Sequence, residues 1–269
     1  MRLPTSHRLG IPTAVLKLAP KTHDLRILVA SDWHIGSIWC DTDLLNRTLK
    51  YADEQDAYIL LNGDILEMAI RKSVGSPYEC TMSPQEQLEE MLRLFEGRRH
   101  RILGVLTGNH EARTQREGDV DIVSIFAGQE PMIPYLSKAG ILAVHAHDQV
   151  WTIYAQHGVR GCGRKPGAAL NAVHDMTENV VADLYVHGHH HRASVTKTHV
   201  ARYKPGPGFY WMPRWFVNAG TLHRYGGYAS DAAYPPTDCG SYLLKLSGGK
   251  RGKKVHYELL DRAFFDMPR

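Results

Sequence analysis

Aspartates, histidines and one asparagine recur along this chain in short motifs, each placed just after an apolar run. Asp32-Trp33-His34 follows residues 25–30, and Gly63-Asp64 follows residues 57–61. Gly108-Asn109-His110-Glu111 follows residues 102–106, His157-Gly158 follows residues 151–155, and Gly188-His189-His190-His191 follows residues 184–186. Short apolar runs of this kind read as strands. Carboxylates, imidazoles and a carboxamide are therefore presented at strand ends, the edge where α/β sheets build ligand sites. A single Asp-x-His carries little information, whereas five such motifs in series do. The donor set is oxygen and nitrogen. It suits Mn²⁺, Fe, Zn²⁺ or Ni²⁺ better than Ca²⁺ or a thiolate-preferring metal. Two ions roughly 3.5–4 Å apart can clamp a phosphoryl group and acidify a shared water. One carboxylate must then sit between them, because only a carboxylate offers two oxygens to share.

Each residue also has a plainer reading. Asp32 and Asp64 could cap turns after their strands. His157 alone reads as a polar strand end, His174 as a packing or surface residue, and Trp33 as core. Strand alternation puts His187, His189 and His191 on one side and His190 on the other. His187 then supports the site, and His190 is a spectator.

The order and spacing of the five motifs resemble the calcineurin-like metallophosphoesterase superfamily. Its pattern is D-x-H, G-D, G-N-H-[DE], a lone H before a small residue, then G-H-x-H. The likeness runs from Asp32 to His191. It extends weakly to Asn218-Ala219-Gly220-Thr221, which is similar to the family's N-P-G-S turn with Ala in place of Pro. Glu111 followed by Ala112-Arg113, and the stretch Ser73-Val74-Gly75-Ser76-Pro77-Tyr78, are similar to small metallophosphoesterases common in phage genomes. The resemblance implies an α/β fold, a four-layer αββα sandwich of two mixed β-sheets flanked by helices. It implies two divalent transition-metal ions, Mn²⁺ foremost. It makes Asp64 the bridge, gives Asp32, His34 and His191 to one ion, and gives Asn109, His157 and His189 to the other. His110 becomes the non-ligand histidine that stabilises the reacting phosphorus group or protonates the leaving oxygen, a task suited to imidazole.

Around these motifs the chain alternates strand and helix. Residues 42–54 place Leu44, Leu45, Thr48, Leu49 and Ala52 on one face. Ser83-Pro84-Gln85-Glu86 reads as a capping box with proline at the first helical position. Its helix should bury Leu88, Met91, Leu92 and Phe95 and stop at Gly97. Further helices are expected near 121–126 and over 168–181, and strands at 215–218, 241–246 and 254–259. Residues 1–22 read as a loosely packed arm and 23–269 as the metallophosphoesterase domain.

The chain has 269 residues, 43% of them hydrophobic, enough for one sizeable core. Net charge is +4, which suits a phosphorylated substrate without reaching the level of a dedicated nucleic-acid binder. The four cysteines form no C-x-x-C pair. They indicate neither a zinc ribbon nor a disulfide framework. A cytoplasmic protein without a membrane partner is the expectation.

Substrate selection should come from loops after the ligands. The loop over 70–82 is a candidate lid or an ordinary surface loop. Arg113 is read as a phosphate contact, with an ion pair to Glu117 as the alternative. The segment 158–167 combines glycines with Arg160, Arg164 and Lys165 ahead of a helix, as a phosphate-side specificity element does. Residues 202–216 interleave aromatics with cations, and are expected to form a hairpin that packs its aromatics inward. Together these readings give a hydrolase of a nucleotide or other small phosphorylated substrate. A repair-type nuclease of the same superfamily is the alternative, and a non-catalytic scaffold the more remote one.

Overall fold

A computed structural model describes residue 6, residues 9–70, 77–158, 165, 167–227, 230, 235–249 and 252–267. Two sheets form the centre. The first has strand order β1-β5-β6-β7-β9-β8, from β1 (Thr13–Leu18), β5 (Ala139–Ala146), β6 (Gln149–Gln156), β7 (Leu184–His187), β8 (Ser194–Lys204) and β9 (Gly208–Asn218). The second has order β11-β10-β2-β3-β4, from β2 (Leu25–Ala30), β3 (Tyr58–Asn62), β4 (Ile102–Leu106), β10 (Gly240–Leu246) and β11 (Val255–Asp261). Both sheets are mixed: β2, β3 and β4 run parallel while β10 is antiparallel to β2, and β6, β7 and β9 run parallel while β5 is antiparallel to β6 and β8 to β9.

The period of two along β2 shows how the layers form. Leu25, Ile27 and Val29 enter the core between the sheets with Leu142, Trp151, Val186 and Trp215, whereas Leu28 and Ala30 face the helices. That helical layer holds α1 (Thr42–Glu54), α2 (Pro84–Phe95) and α4 (Ile122–Gly128). On the far side α5 (Ala168–Asp175) covers the first sheet through Val173 against Tyr185 and Phe216. The four-layer αββα arrangement expected from the sequence is the one observed. Among the described residues, no helix is long and apolar enough to cross a membrane.

Local signals place several elements as expected. Asp41 caps α1 by accepting from Leu44 N, and Ser83 and Glu86 form the capping box of α2. The buried face of α2 is rotated from the expected one: Gln87, Met91, Leu94 and Phe95 are buried, while Leu88 and Leu92 are half-buried. Gln87 enters because its amide accepts from Met68 N and donates to Met82 O. The helix expected over 168–181 ends at Asp175 in a 3-10 turn, Met176–Glu178.

Two expectations are overturned. Residues 1–22 are not all a loose arm, because β1 pairs in parallel with β5 and buries Ala14 and Leu16. The aromatics of 202–216 do not all pack inward. Trp215 and Phe216 are buried, but Tyr203, Phe209, Tyr210 and Trp211 are exposed. The physical reason is length: β7 accompanies β9 only over residues 215–218, so residues 208–214 continue with β8 alone. Trp33 is core, fully buried against Phe95 with its indole N–H donating to Ser241 Oγ.

Candidate metal centre

Parallel pairing brings the C-terminal ends of β2, β3 and β4 to one edge and those of β6, β7 and β9 to another. The turns that follow are tied across these edges. Asp32 N donates to Gly63 O and His34 N to Asp64 O, at 3.0 and 3.1 Å. His189 N donates to both oxygens of Asp32, each at 3.0 Å, which links the two sheets. Thr221 Oγ1 and Leu222 N both donate to Asp32 O, so the turn after Asn218 clamps the first motif. Gly108 lies so close to Asp64 that a Cβ there would collide with Asp64 Oδ1.

These ties hold the donors in an unusual backbone. Asp32, His34, Asp64, His189 and His191 all have positive φ, between 48° and 70°. A non-glycine residue in that region is uncommon, and strain of this kind gathers at functional sites.

The side chains converge in three overlapping groups: Asp32, His34 and His191; Asp64, His157 and His189; and His34, Asp64 and His110. Within each group the donor atoms lie within 4.8 Å of one another. His157 Nδ1 donates to Asn62 O at 2.7 Å, so its Nε2 lone pair faces Asp64 Oδ2 at 3.0 Å. Two acceptors so close require a cation between them, a proton or a metal ion. His34 Nδ1 likewise donates to Glu67 Oε2 at 2.8 Å, which turns its Nε2 lone pair toward His191 Nε2 at 3.2 Å. Asn109 Oδ1 is a buried acceptor without a hydrogen-bond partner among the described residues. The donor set therefore fits divalent cations, and the group of His34, Asp64 and His110 links the other two, sharing His34 with one and Asp64 with the other.

The electrostatics agree. Burial alone would raise Asp32 and Asp64, but His157, with His191 beside Asp32 and His110 beside Asp64, holds both well below the usual carboxylate range. Burial would lower His157, yet Asp64 and Asp32 push it up to about 10. Burial and the charge of His157 push His189 down to about 4, and burial and His110 lower His34. The ionised carboxylates and the neutral His34 and His189 are in the protonation states a metal ion requires, whereas His157 carries a proton that an ion must displace.

His110 sits beside these groups. Its Nδ1 donates to Glu67 O at 2.8 Å, its backbone N donates to Asp64 Oδ1 at 2.8 Å, and its Nε2 is 3.9 Å from Asp64 Oδ2. Burial would lower its pKa, but Asp64 and Glu67 raise it. Arg113 points inward: its guanidinium donates to Glu67 O and lies 3.1 Å from His110 Nε2. Lys165 is exposed, and its carbonyl accepts from Arg192. Arg160, Arg164 and most of the candidate lid (71–76) lie outside the described residues.

Sequence reading missed three residues. Glu67, three residues past Asp64, is buried and bridges His34 and His110, and nothing in its spacing from Asp64 gives that away. Glu111 closes its sequence motif, and the motif alone gives it no role. Its carboxylate accepts from the backbone N–H groups of Asp64, Leu66 and Gly108, so it shapes the turn that carries Asp64. Burial and the charge of Asp64 push its pKa up to about 7. His223 is buried with its ring 5.0 Å from that of His34, and only the neighbouring Asn218 turn hinted at it. His187 stacks on His190 at 4.7 Å, so His190 is engaged with its neighbour, and His174 is an exposed residue against Phe216.

Comparison with known proteins gives a consistent frame. Residues 25–193 match the family described as calcineurin-like phosphoesterase. No curated protein matches the chain by sequence. Among solved structures, vacuolar protein sorting 29 from Cryptosporidium parvum is similar at 15% identity and a TM-score of 0.43, over 90% of this chain and 100% of that one. Vps29 from Chaetomium thermophilum is similar at 13% identity and a TM-score of 0.42, over 88% of this chain and 96% of that one. The Zn²⁺ complex of wild-type Vps29 from Entamoeba histolytica is similar at 13% identity and a TM-score of 0.39, over 88% and 100% of the respective chains.

Proposed function

This chain belongs to the calcineurin-like phosphoesterase family, and from that premise we propose that it is a dinuclear metal-dependent phosphoester hydrolase acting on a nucleotide or other small phosphorylated substrate. The observation that carries this reading is the chain of three overlapping donor groups with Asp64 in two of them. Asp32, His34 and His191 would hold one ion, Asn109, His157 and His189 the other, and Asp64 both. Two such ions, Mn²⁺ foremost with Fe, Zn²⁺ or Ni²⁺ also compatible with the donors, would supply charge neutralisation at the phosphoryl group and would make water a better nucleophile.

The remaining work belongs to the chain. His34 and His157 are each locked in one orientation by the acceptor opposite Nδ1, Glu67 in one case and Asn62 O in the other. Such partners fix the tautomer and raise ligand basicity. His110 is held by Nδ1 with Nε2 left toward Asp64 and Arg113. From Nε2 it would donate a proton to the leaving oxygen, a role worth roughly 10²–10⁴-fold in rate. Glu67 keeps His110 protonated to higher pH, and Arg113 would meet a non-bridging phosphoryl oxygen.

The decisive experiment reconstitutes the protein with each metal. It then assays monoesters, diesters, cyclic nucleotides, and single- and double-stranded DNA. Metal-dependent turnover of a small ester that vanishes in Asp64→Asn supports the reading. A fully metallated protein that turns over none of these substrates would overturn it.

A further inference from the structure

The hairpin of β8 and β9 does more than close the first sheet. Over residues 208–214 of β9 it is a two-stranded ribbon, with no third strand beside it among the described residues. Its tip lies about 30 Å from the metal edge, because β9 runs ten residue steps of about 3.3 Å before Asn218 pairs with His187.

Register assigns the side chains to faces. Residues directly opposed share a face, so Lys197, His199, Ala201, Tyr203, Phe209 and Trp211 line one side. Tyr203, Phe209 and Trp211 are 65%, 81% and 70% exposed, an extreme for large aromatics. Tyr203 and Phe209 oppose one another with rings 5.5 Å apart, and Trp211 stands opposite Ala201, which leaves the indole face open. Arg202 and Lys204 are exposed on the other side of the same ribbon. Over residues 194–218 there are four lysines and arginines and no carboxylate. An acidic counterpart must come from outside the ribbon.

We propose that this ribbon is a binding surface for single-stranded nucleic acid. Aromatic faces and cations without carboxylates are the combination that stacks bases and tracks phosphates. Alternate residues of one strand are about 7 Å apart, roughly twice the 3.4 Å rise of a stacked strand. Phe209 and Trp211 are therefore spaced for bases already unstacked, as in a single strand and not in a duplex. The surface is independent of the hydrolase reading, since it shares no residue with the metal centre. It would hold a polynucleotide at the end of the molecule opposite the catalytic edge.

The test is fluorescence anisotropy of the metal-loaded protein with a labelled oligothymidylate, its integrity checked on a gel, and with a duplex of equal length. Saturable binding with clear preference for the single strand, accompanied by quenching of tryptophan emission, is expected. Trp211→Ala and Phe209→Ala should each weaken it roughly five- to hundredfold. Joint Arg202→Ala and Lys204→Ala should flatten the logarithmic salt dependence by about 1.4, from about 0.7 per lost phosphate contact. Circular dichroism and unchanged hydrolysis of p-nitrophenyl phosphate would show that these exposed substitutions leave the fold intact. Asp64→Asn, which abolishes turnover under the hydrolase reading, should keep the affinity within about twofold. Absence of binding at low salt overturns the proposal. So does binding that ignores all four ribbon substitutions, or a wild-type dimer that Trp211→Ala converts to monomer without any change in nucleic-acid affinity.

Discussion

Replacing Glu67 by glutamine should move the pH dependence of catalysis while leaving the metal centre in place. Glu67 Oε1 is 3.3 Å from His110 Nδ1, and the side chains of both are nearly inaccessible to solvent. Two unit charges about 4 Å apart interact by roughly 4 kcal/mol at an effective dielectric of about 20. That figure is the ceiling of the coupling, reached only if nothing else screens the pair. Arg113, with Nη1 3.7 Å from the same carboxylate oxygen, offsets part of this field. The orientation of His110 should survive, because Nδ1 also donates to the backbone carbonyl of residue 67. Glutamine still offers His34 an acceptor oxygen. The sign follows from the role. His110 donates a proton, so it acts below its pKa. Glu67 raises that pKa, and its neutralisation lowers it. The alkaline limb of kcat/KM should therefore shift to lower pH, with little change on the acid side. A p-nitrophenolate leaving group, which needs no proton, should be less affected than an alkoxide. Profiles of wild type and Glu67→Gln that superimpose at equal metal content would refute the coupling.

Elemental analysis should find two transition-metal ions per wild-type chain, with Asp64→Asn weakening both sites and Asp32→Ala chiefly one. His110→Ala should retain its metal and lose roughly 10²–10⁴-fold in kcat, read in steady-state kinetics beside metal content. Gly108→Ala should lower both melting temperature and metal affinity, since the new Cβ displaces the Asp64 carboxylate. The metal-free protein should lose stability as pH rises above about 6.5 and toward 10. His157 is raised from 6.5 to about 10 in the folded chain, so its contribution is complete below the lower value and gone above the higher one. Thermal melts across pH 6–10, with and without metal, check this. Metal affinity should rise over the same window, because the ion displaces that proton.

The sequence made the site legible because its donors are local: Asp32 with His34, Asn109 beside His110, and His189 with His191 each sit in one turn. The strands before them were equally clear, since buried parallel strands are short unbroken apolar runs such as 102–106. Glu67 and His223 were not legible. Their roles exist only once the chain after Asp64 and the turn after Asn218 fold over His34, and nothing in their spacing alone separates them from surface residues. The strand at 13–18 was hidden by its neighbouring prolines and lysine. The ribbon was misread because periodicity reports which residues share a face, but not whether another layer lies opposite.

The left-handed backbone of five donors implies that durability and activity pull in opposite directions here. L-residues held at φ of 48° to 70° cost about 1 kcal/mol or more each. Glycine adopts that region freely. At His191, the half-buried member of the set, replacement by glycine would relieve the backbone with little cavity to refill. A population of variants selected only for resistance to heat would drift toward glycine or asparagine at these positions and lose its chemistry while folding better. Selection for turnover would hold aspartate and histidine in place against that drift.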